Sequence, residues 1–298
     1  YKKGYKSNYK VMLAAHMDEV GLMITGYGDG GTLKFKPVGG IDDRILIGKR
    51  VALGNQKIPG VIGCKPIHLQ EKEERENNMK YKKLYIDIGA ESKEEAEKLV
   101  PRGEYACFSS SYIELGNTCI KAKALDDRVG CAILMEILKE RHRFDLYTGF
   151  TVQEEVGLRG AETAAYSIEP DLAIIIEGTT CSDVPDVEEH SQSTVLGAGA
   201  VITLADRTAY ADKALADYIY RTALNEKIKV QFKRTVTGGN DAGKIQRSKK
   251  GVKVASISVP CRYIHSPSSI MSREDLESCV KLLKAVLDNL SKNEADMK

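Results

Sequence analysis

Apolar and polar residues alternate in blocks through most of the second half of the chain. From about residue 118 onward, short apolar runs predict strands, and segments with apolar residues at helical spacing predict amphipathic helices between them. This order is typical of an α/β fold with a mainly parallel sheet flanked by helices. The predicted strands are 119–122, 145–152, 171–176, 200–204, 227–232 and 253–259, and the predicted helices are 127–139, 158–165, 212–224 and 273–290.

The first part of the chain has a different pattern, except near its start. Residues 11–15 are an uninterrupted apolar run, which is typical of a buried parallel strand. From about residue 20 to residue 116, short strand-like segments are separated by glycine-rich turns, which predicts a small β-rich unit. We therefore predict one α/β domain formed by residues 1–19 and 117–298, with residues 20–116 inserted as a β-rich domain.

The composition excludes several classes of protein. The 298 residues include 44 Lys and Arg and 42 Asp and Glu, so the formal charge of +2 offers little attraction for nucleic acid or an anionic membrane. No apolar run approaches the roughly 20 residues of a membrane span. Seven scattered cysteines without a C-x-x-C pair argue against a disulfide framework and a thiolate zinc site, so we expect a cytoplasmic protein.

Residues of the kinds that bind metal ions recur directly after predicted strands. The carboxyl ends of parallel strands meet at one edge of an open α/β sheet, where such folds bind their ligands. Five strand ends would therefore bring two histidines and at least four carboxylates into one crevice. These residues are His16, the pair Asp126 and Asp127, the pair Glu154 and Glu155, Glu177 and His265.

Each of these residues also has an ordinary structural explanation when it is taken alone. A single histidine after a strand is usually a hydrogen-bonded structural residue, and an Asp-Asp pair at a helix start usually caps the helix. A Glu-Glu pair is ordinarily exposed. Their common placement favours a metal site instead, because several carboxylates buried together are costly unless cations neutralise them.

The donor types narrow the choice of metal. Imidazole and carboxylate donors without thiolates suit Zn²⁺ or Co²⁺, with Mn²⁺ as a further candidate. Two such ions could share one carboxylate and polarise a carbonyl oxygen together. One of Glu154 and Glu155 could then coordinate while the other transfers a proton. Asp18 follows His16 by two residues in an extended segment, so it lies on the same face and can orient the imidazole.

Five segments together resemble the dinuclear metallo-aminopeptidases that include glutamyl aminopeptidase, deblocking aminopeptidase and the tetrahedral TET peptidases. Some members of that family carry the older label cellulase M or endoglucanase. The resemblance extends over essentially the whole chain, and the segments occur in the family's order. They are AHMDEVG (15–21), ALDDRVG (124–130), VQEEVG (152–157), GGNDA (238–242) and RYIHSP (262–267).

The resemblance implies two metal sites that share one carboxylate. Asp126 would bridge two divalent ions. His16 and Glu177 would complete one site, and Glu155 and His265 would complete the other. The family often has Asp at the position of Glu177, and since both side chains are carboxylates we expect ligation with a different reach.

The resemblance also implies roles for the surrounding residues. Glu154 and Asp18 would be the catalytic pair, with Glu154 as general base, and the peptide bond between Asp126 and Asp127 would be cis. The glycine-rich turn would line the substrate cleft, although a plain strand-to-helix turn has the same pattern. Its residues are Gly238, Gly239, Asn240, where the family usually has Thr, and Asp241.

The activity that the resemblance implies is hydrolysis of the N-terminal peptide bond of short peptides. The family uses its inserted domain for dimerisation within a hollow dodecamer, so we expect a homo-oligomer that dimerises through residues 20–116. A related deacylase or carboxypeptidase, an endoglucanase with two carboxylates flanking a sugar bond, and a non-catalytic shell subunit are the alternatives. The preferred N-terminal residue stays open.

The start of the chain leads to a separate expectation. The first residues, YKKGYK, are polar and lack an initiator Met. Related chains carry a further segment ahead of the position of Tyr1 that packs on the catalytic domain. If this segment is absent from the protein, we expect weaker stability or assembly.

Three further histidines lie outside the predicted centre. His142 follows helix 127–139 among basic residues, where a positive charge would complement the helix dipole. His68 is expected at a turn or an interface of the β-rich domain, and His190 in an exposed loop. None of the three is assigned a catalytic role.

Overall fold

The computed structural model describes residues 1–292, which form fifteen strands and seven α-helices. The strands are β1 (Lys10–His16), β2 (Gly21–Tyr27), β3 (Leu33–Val38), β4 (Arg50–Leu53), β5 (Ile58–Gly63), β6 (Tyr85–Asp87), β7 (Tyr105–Phe108), β8 (Ile113–Leu115), β9 (Cys119–Ala122), β10 (Asp145–Thr151), β11 (Leu172–Cys181), β12 (Ala200–Thr203), β13 (Val230–Phe232), β14 (Lys253–Arg262) and β15 (Ser269–Ser272). The helices are α1 (Lys72–Glu76), α2 (Lys93–Leu99), α3 (Leu125–Ile137), α4 (Arg159–Ile168), α5 (Lys213–Asn225), α6 (Ala242–Ile245) and α7 (Arg273–Lys292).

The larger of two compact units contains Tyr1–Asp18, Tyr112–Ile264 and the chain from Ser269 onward. Its nine-stranded sheet has the order β10-β1-β11-β14-β15-β9-β8, with β12 paired to β14 and β13 paired to β12. Strands β10, β1, β11 and β14 are parallel to one another, whereas β12 and β15 pair antiparallel with β14. The predicted α/β fold is confirmed, and the parallel strands are consecutive in the sheet.

Strand β1 is buried on both faces, which explains its uninterrupted apolar sequence. It lies between β10 and β11, and every residue from Val11 to His16 is buried. Val11 and Leu13 belong to one apolar cluster, while Met12 and Ala14 belong to a second. Because successive side chains of a strand point to opposite faces, the two clusters cover the two sides of the sheet.

Helix α7 packs an apolar stripe into the core of the larger unit. Leu283, Val286, Leu287 and Leu290 recur at helical spacing and are buried, each contributing about 1.5–3 kcal/mol of transfer free energy. The helix extends two residues beyond the predicted 273–290. Across the described residues, neither this 20-residue helix nor any other is long and apolar enough to cross a membrane.

The second compact unit contains Glu19–Ser111 and His265–Ser268. Six antiparallel strands close into a barrel in the order β2-β3-β6-β5-β4-β7. Its interior is filled by alternate side chains of these strands, including Leu22, Ile24, Leu33 and Ile86. Closure leaves no free strand edges in the barrel. The assignment of residues 20–116 to dimerisation stays a prediction.

His142 has a different environment from the one that its neighbours in sequence indicate. Helix α3 ends at Ile137, and His142 is 4% exposed with its ring stacked on Phe144 at a centroid separation of 5.2 Å. Within the described chain, neither ring nitrogen has a hydrogen-bond partner. Burial lowers the pKa of His142, so the folded protein favours the neutral ring over the cation that a helix-end role requires.

We expect the stability of the protein to depend on pH partly through His142. The unfolded chain titrates this ring near pH 6.5, whereas the folded chain holds its pKa lower, so the unfolded state binds more protons below that pH. The contribution of His142 to the free energy of unfolding is therefore complete above about pH 6.5 and falls as the pH drops toward the folded pKa. Urea unfolding at about pH 7.5 and about pH 5.5 measures this loss.

The variant His142→Phe is the control for this experiment, because it keeps an aromatic ring against Phe144 and cannot be protonated. It should lose less stability than the wild type between the two pH values. Equal losses in the two proteins would contradict the assignment.

Candidate metal centre

His16 is the last residue of β1 and lies where several predicted ligands converge. In the register of the sheet it is opposite Thr151, the last residue of β10. The His16 side chain is 1% exposed, and its Nε2 lies 3.2 Å from Asp126 Oδ1 and 3.2 Å from Glu177 Oε1. The end of β1, strand β11 and the first turn of α3 therefore bring these three side chains to one point at the edge of the sheet.

Two groups of side chains could each hold a metal ion. In each group, one ligand atom from every residue lies within 4.8 Å of the others. Four of the five predicted ligands fall in these groups, together with Asp127. The groups are His16, Asp127 and Glu177, and His16, Asp126 and Glu155.

The fifth predicted ligand, His265, belongs to the second compact unit. Its Nδ1 lies 2.8 Å from the carbonyl oxygen of Gly40, which leaves Nε2 as the ring nitrogen without this contact. A hydrogen bond at one ring nitrogen sets the tautomer that presents the other nitrogen to a ligand. The metal-binding role of His265 stays a prediction.

Asp127 anchors the end of β1 to the first turn of α3. It is completely buried, and its carboxylate accepts hydrogen bonds from the backbone N–H of His16 at 3.1 Å and of Gly130 at 3.0 Å. A Cβ at Gly130 would overlap this carboxylate, so the close approach needs glycine. The peptide bond between Asp126 and Asp127 is cis, as the resemblance implies.

Asp18 links His16 to the Glu154-Glu155 turn. His16 Nδ1 lies 3.0 Å from the backbone carbonyl oxygen of Asp18 and 3.5 Å from the side-chain Oδ1 of the same residue. The nearer partner is therefore the backbone oxygen. The two carboxylate oxygens accept hydrogen bonds from the backbone N–H groups of Glu154 at 3.1 Å and Glu155 at 3.2 Å. The Asp18 carboxylate therefore orients the two glutamates, and the Asp18 backbone carbonyl holds the imidazole.

Glu154 has the electrostatic character of a group that exchanges protons near neutral pH. Burial raises its pKa to about 8, with His16 opposing this increase and Glu155 and Asp126 adding to it. Its Oε2 lies 3.9 Å from His16 Nε2. A carboxyl group with a pKa in this range can accept and donate a proton under physiological conditions.

The charges of the centre fit bound divalent cations. Burial and the negative charge of Asp127 raise the pKa of Glu177, against the lowering effect of His16. Burial alone would lower the pKa of His16, but the nearby carboxylates of Glu177, Asp126 and Asp18 reverse this and raise it. Negative charge is therefore in excess, and a cation would neutralise it. The nitrogen and oxygen donors suit Zn²⁺, Co²⁺ or Mn²⁺.

The glycine-rich turn before α6 divides into a buried half and an exposed half. Gly238 and Gly239 are exposed, whereas Asn240 and Asp241 are 5% and 1% exposed. The Asp241 carboxylate accepts a hydrogen bond from Thr151 Oγ1 at 2.5 Å. Buried hydrogen bonds of Asn240 and Asp241 therefore fix this part of the turn, and the substrate-binding role of all four residues stays a prediction.

The sequence predicts Asp127 as one of an acidic pair that could bind metal or cap a helix, whereas it predicts no role for Thr151. The Asp-Asp pair was a signal for Asp127, because a carboxylate at a helix start often accepts backbone hydrogen bonds. Thr151 had no such signal, since threonine is common in strands and its partner Asp241 lies 90 residues away in the chain.

Comparison with known proteins identifies the family of the chain. A model of the M42 glutamyl aminopeptidase family matches residues 1–282. A putative aminopeptidase of Acetivibrio thermocellus is 42% identical over 95% of this chain and 83% of its own length. The lysyl aminopeptidase of Pyrococcus furiosus is 32% identical, over 94% of this chain and 82% of its own.

A solved structure has the same architecture. The TET1 peptidase of Pyrococcus horikoshii, which can assemble into a tetrahedron or a large octahedral shell, is 37% identical with a TM-score of 0.83. The similarity covers 95% of this chain and 85% of that one. The chain therefore belongs to the M42 glutamyl aminopeptidase family of peptide hydrolases.

Proposed function

We propose that this protein removes the N-terminal residue of short peptides by a metal-dependent reaction at the centre described above. The observation that carries the proposal is the convergence of Asp126 and Glu177 on His16 Nε2, each at 3.2 Å, in a chain of the M42 family. Two divalent ions, Zn²⁺ or Co²⁺ with Mn²⁺ as a further candidate, would share Asp126 as a bridging ligand. The full ligand set would be His16, Asp126, Glu155, Glu177 and His265.

Asp127 is assigned a structural role beside these ligands. Both of its carboxylate oxygens already accept backbone hydrogen bonds, from His16 and Gly130. Asp126 Oδ1 lies 3.2 Å from Nε2 of the His16 imidazole. The commitment of both Asp127 oxygens to the backbone supports Asp126 as the shared ligand.

The proton transfer is assigned to Glu154. Bound ions would polarise the scissile carbonyl group and make water a better nucleophile at neutral pH. Glu154 would take the proton from the attacking water and deliver it to the leaving amine, a role that fits its burial and its raised pKa of about 8. Asp18 is a positioning residue, since it holds the backbone of Glu154 and the ring of His16.

The proposed assembly is a homo-oligomer in which dimers form a dodecamer, and the proposed compartment is the cytoplasm. The TET1 relative supports the first proposal, because its subunits form closed shells. On the second unit, Ile67 and Leu69 are 71% and 58% exposed, which is typical of residues that a partner covers. All seven cysteines are free thiols, as expected in a reducing compartment.

Replacing Glu154 by Gln should separate chemistry from metal binding. The amide cannot carry the proton, so we expect kcat to fall by at least about a hundredfold, the size of a general-base contribution. Both ions should remain, because Glu154 is not a proposed ligand. Turnover of an aminoacyl-nitroanilide and elemental analysis of the bound metal provide the two measurements.

Glu155→Gln is the matched control for that experiment, because it changes the adjacent carboxylate, which is a proposed ligand. This variant should lose metal as well as activity. Near-normal turnover in Glu154→Gln, or equal metal content in the two variants, would contradict the assigned roles.

Replacing Asp18 by Ala should lower metal affinity or activity without removing any proposed metal ligand. Loss of its carboxylate removes the acceptor for two backbone N–H groups, so we expect metal affinity or kcat to fall about 10–100-fold. KM should change less than kcat. Asp217→Asn, which alters an exposed carboxylate on α5, should behave as the wild type, and similar effects in both variants would refute the positioning role.

The double variant Ile67→Asp, Leu69→Asp should shift the assembly toward smaller species. If another subunit covers these positions, the two new carboxylates would be buried without water. Their desolvation costs free energy, and this cost is absent in smaller species, where the carboxylates stay hydrated. Light scattering after size-exclusion chromatography measures the mass. Tyr166→Asp, at a 61% exposed position of α4 in the other unit, is the control. An unchanged mass in the double variant would exclude this turn from the interface.

A further inference from the structure

A basic cavity lies on the barrel of the second compact unit. Its volume is about 490 Å³, which is in the range of pockets that bind small molecules. One wall comes from Thr25 of β2 and from residues 32–36, and the other comes from residues 81–85, which lead into β6. Among its ten described lining residues there are four lysines and no Asp or Glu. The lysines are Lys34, Lys36, Lys82 and Lys83.

The cavity lies where the pairing between β3 and β6 is short. These strands pair at Leu33 and Ile86 alone, whereas β3 pairs with β2 at six positions. Before β6 the chain forms a 3₁₀ turn, Tyr81–Lys83, that packs on β3 through the rings of Tyr81 and Phe35, whose centroids are 6.4 Å apart. The turn therefore brings the lysines of the second segment to the lysines of β3.

Strand β3 presents two lysines on the same face. Leu33 and Phe35 are buried in the barrel core, whereas Lys34 and Lys36 alternate with them and are exposed. A Cβ on Gly26 would lie 4.0 Å from Lys34 Cδ, so the stem of this lysine lies against β2. Lysines on strands often protect a free sheet edge from pairing with another chain. That explanation does not apply to β3, because it has a partner strand on each side in a closed barrel.

Three of the four ammonium groups have no carboxylate partner in the described chain. Lys83 forms an ion pair with Glu74 at 2.9 Å. Across residues 1–292, no ion pair joins an acid to Lys34, Lys36 or Lys82. Like charges that share a cavity repel one another, and an anion bound between them would relieve this repulsion.

The donor groups of the cavity suit phosphate. An ammonium group binds phosphate oxygens as a point charge with three N–H donors. Thr25 and Thr32 add hydroxyl groups that can donate to the same oxygens. A carboxylate carries one negative charge, whereas a phosphate monoester carries close to two at neutral pH, so phosphate balances several lysines better. The side chain of Tyr85 also lines the cavity and offers an aromatic surface to an attached base.

We propose that this cavity binds an anion with two linked phosphate groups, either inorganic pyrophosphate or the diphosphate of a nucleotide. Lys34, Lys36 and Lys82 hold the phosphate oxygens, and Tyr85 contacts the base when the ligand is a nucleotide. All lining residues belong to the β-rich unit. The site is therefore separate from the proposed peptidase chemistry and does not depend on it.

The test is isothermal titration calorimetry of the protein with pyrophosphate, ADP and adenosine. Pyrophosphate and ADP should bind with a Kd of about 1 mM or lower, and adenosine should not bind. Added NaCl should weaken both interactions, because salt screens the exposed ammonium groups. The double variant Lys34→Gln, Lys36→Gln should lower the affinity for both ligands at least about tenfold, since it removes two of the three unpaired cations.

Lys98→Gln is the matched control. It removes an exposed lysine of α2 in the same unit that does not line the cavity, so it should bind both ligands as the wild type does. Hydrogen exchange locates the site independently, because ADP should slow exchange in residues 32–36 and 81–85. Thermal unfolding of each variant checks that the fold is retained.

The source of the phosphate follows from the relative affinities. Tighter binding of ADP than of pyrophosphate would identify a nucleotide, and equal affinities would identify the phosphate groups alone, so both results support the site. Three results would overturn it. They are absence of binding by both phosphate ligands, equal binding in the wild type and the double variant, which would place the ligand at the metal centre, and equally tight binding of triglutamate, which would indicate an acidic peptide.

Discussion

The centre depends on the burial of several carboxylates around one imidazole at the carboxyl end of β1. His16 reaches this position because β1 is covered on both faces, so the last residue of the strand is withdrawn from water like those before it. Asp126 and Glu177 approach its ring from α3 and β11. Such a concentration of negative charge opposes folding unless protons or cations compensate it, and the ordered backbone of the core keeps the side chains together. The same cost that makes the arrangement unusual makes it a binding site for cations.

Other acids around the centre act as hydrogen-bond acceptors that hold the backbone. Asp127 ties the end of β1 to α3, Asp18 ties His16 to the glutamate turn, and Asp241 ties the end of β10 to the turn before α6. In each case a carboxylate accepts a hydrogen bond from a group that would otherwise be buried without a partner. The anchoring acid Asp127 is adjacent in sequence to Asp126, a proposed ligand. Both residues are aspartates, and they differ in role because their carboxylates contact different atoms.

The resulting division of labour also explains where selectivity can arise. The strand ends and the first turn of α3 carry the residues that we propose act on the peptide bond. The turn between β13 and α6 contributes an exposed pair of glycines. A loop of this kind can change without disturbing the core, because few core contacts depend on its exposed part.

Much of the fold and of the centre was predictable because the relevant signals are local. Apolar runs, helical spacing and ligand residues directly after strands lie within short windows of the chain. They led to the α/β fold and to a set of candidates for one site, and the family resemblance made the choice within each acidic pair. The candidates were His16, the pair Asp126 and Asp127, the pair Glu154 and Glu155, Glu177 and His265. Contacts between distant segments were not predictable in this way.

The burial of His142 against Phe144, the hydrogen bond between Thr151 and Asp241, and the half-buried position of Lys233 are decided by tertiary structure. Each depends on which segments pack together, and a pattern of residue types does not contain that information. The sequence by itself determined which residues could supply the chemistry. The tertiary structure alone decided which acids anchor and which remain available, because a carboxylate's role depends on the distance and direction of its partners.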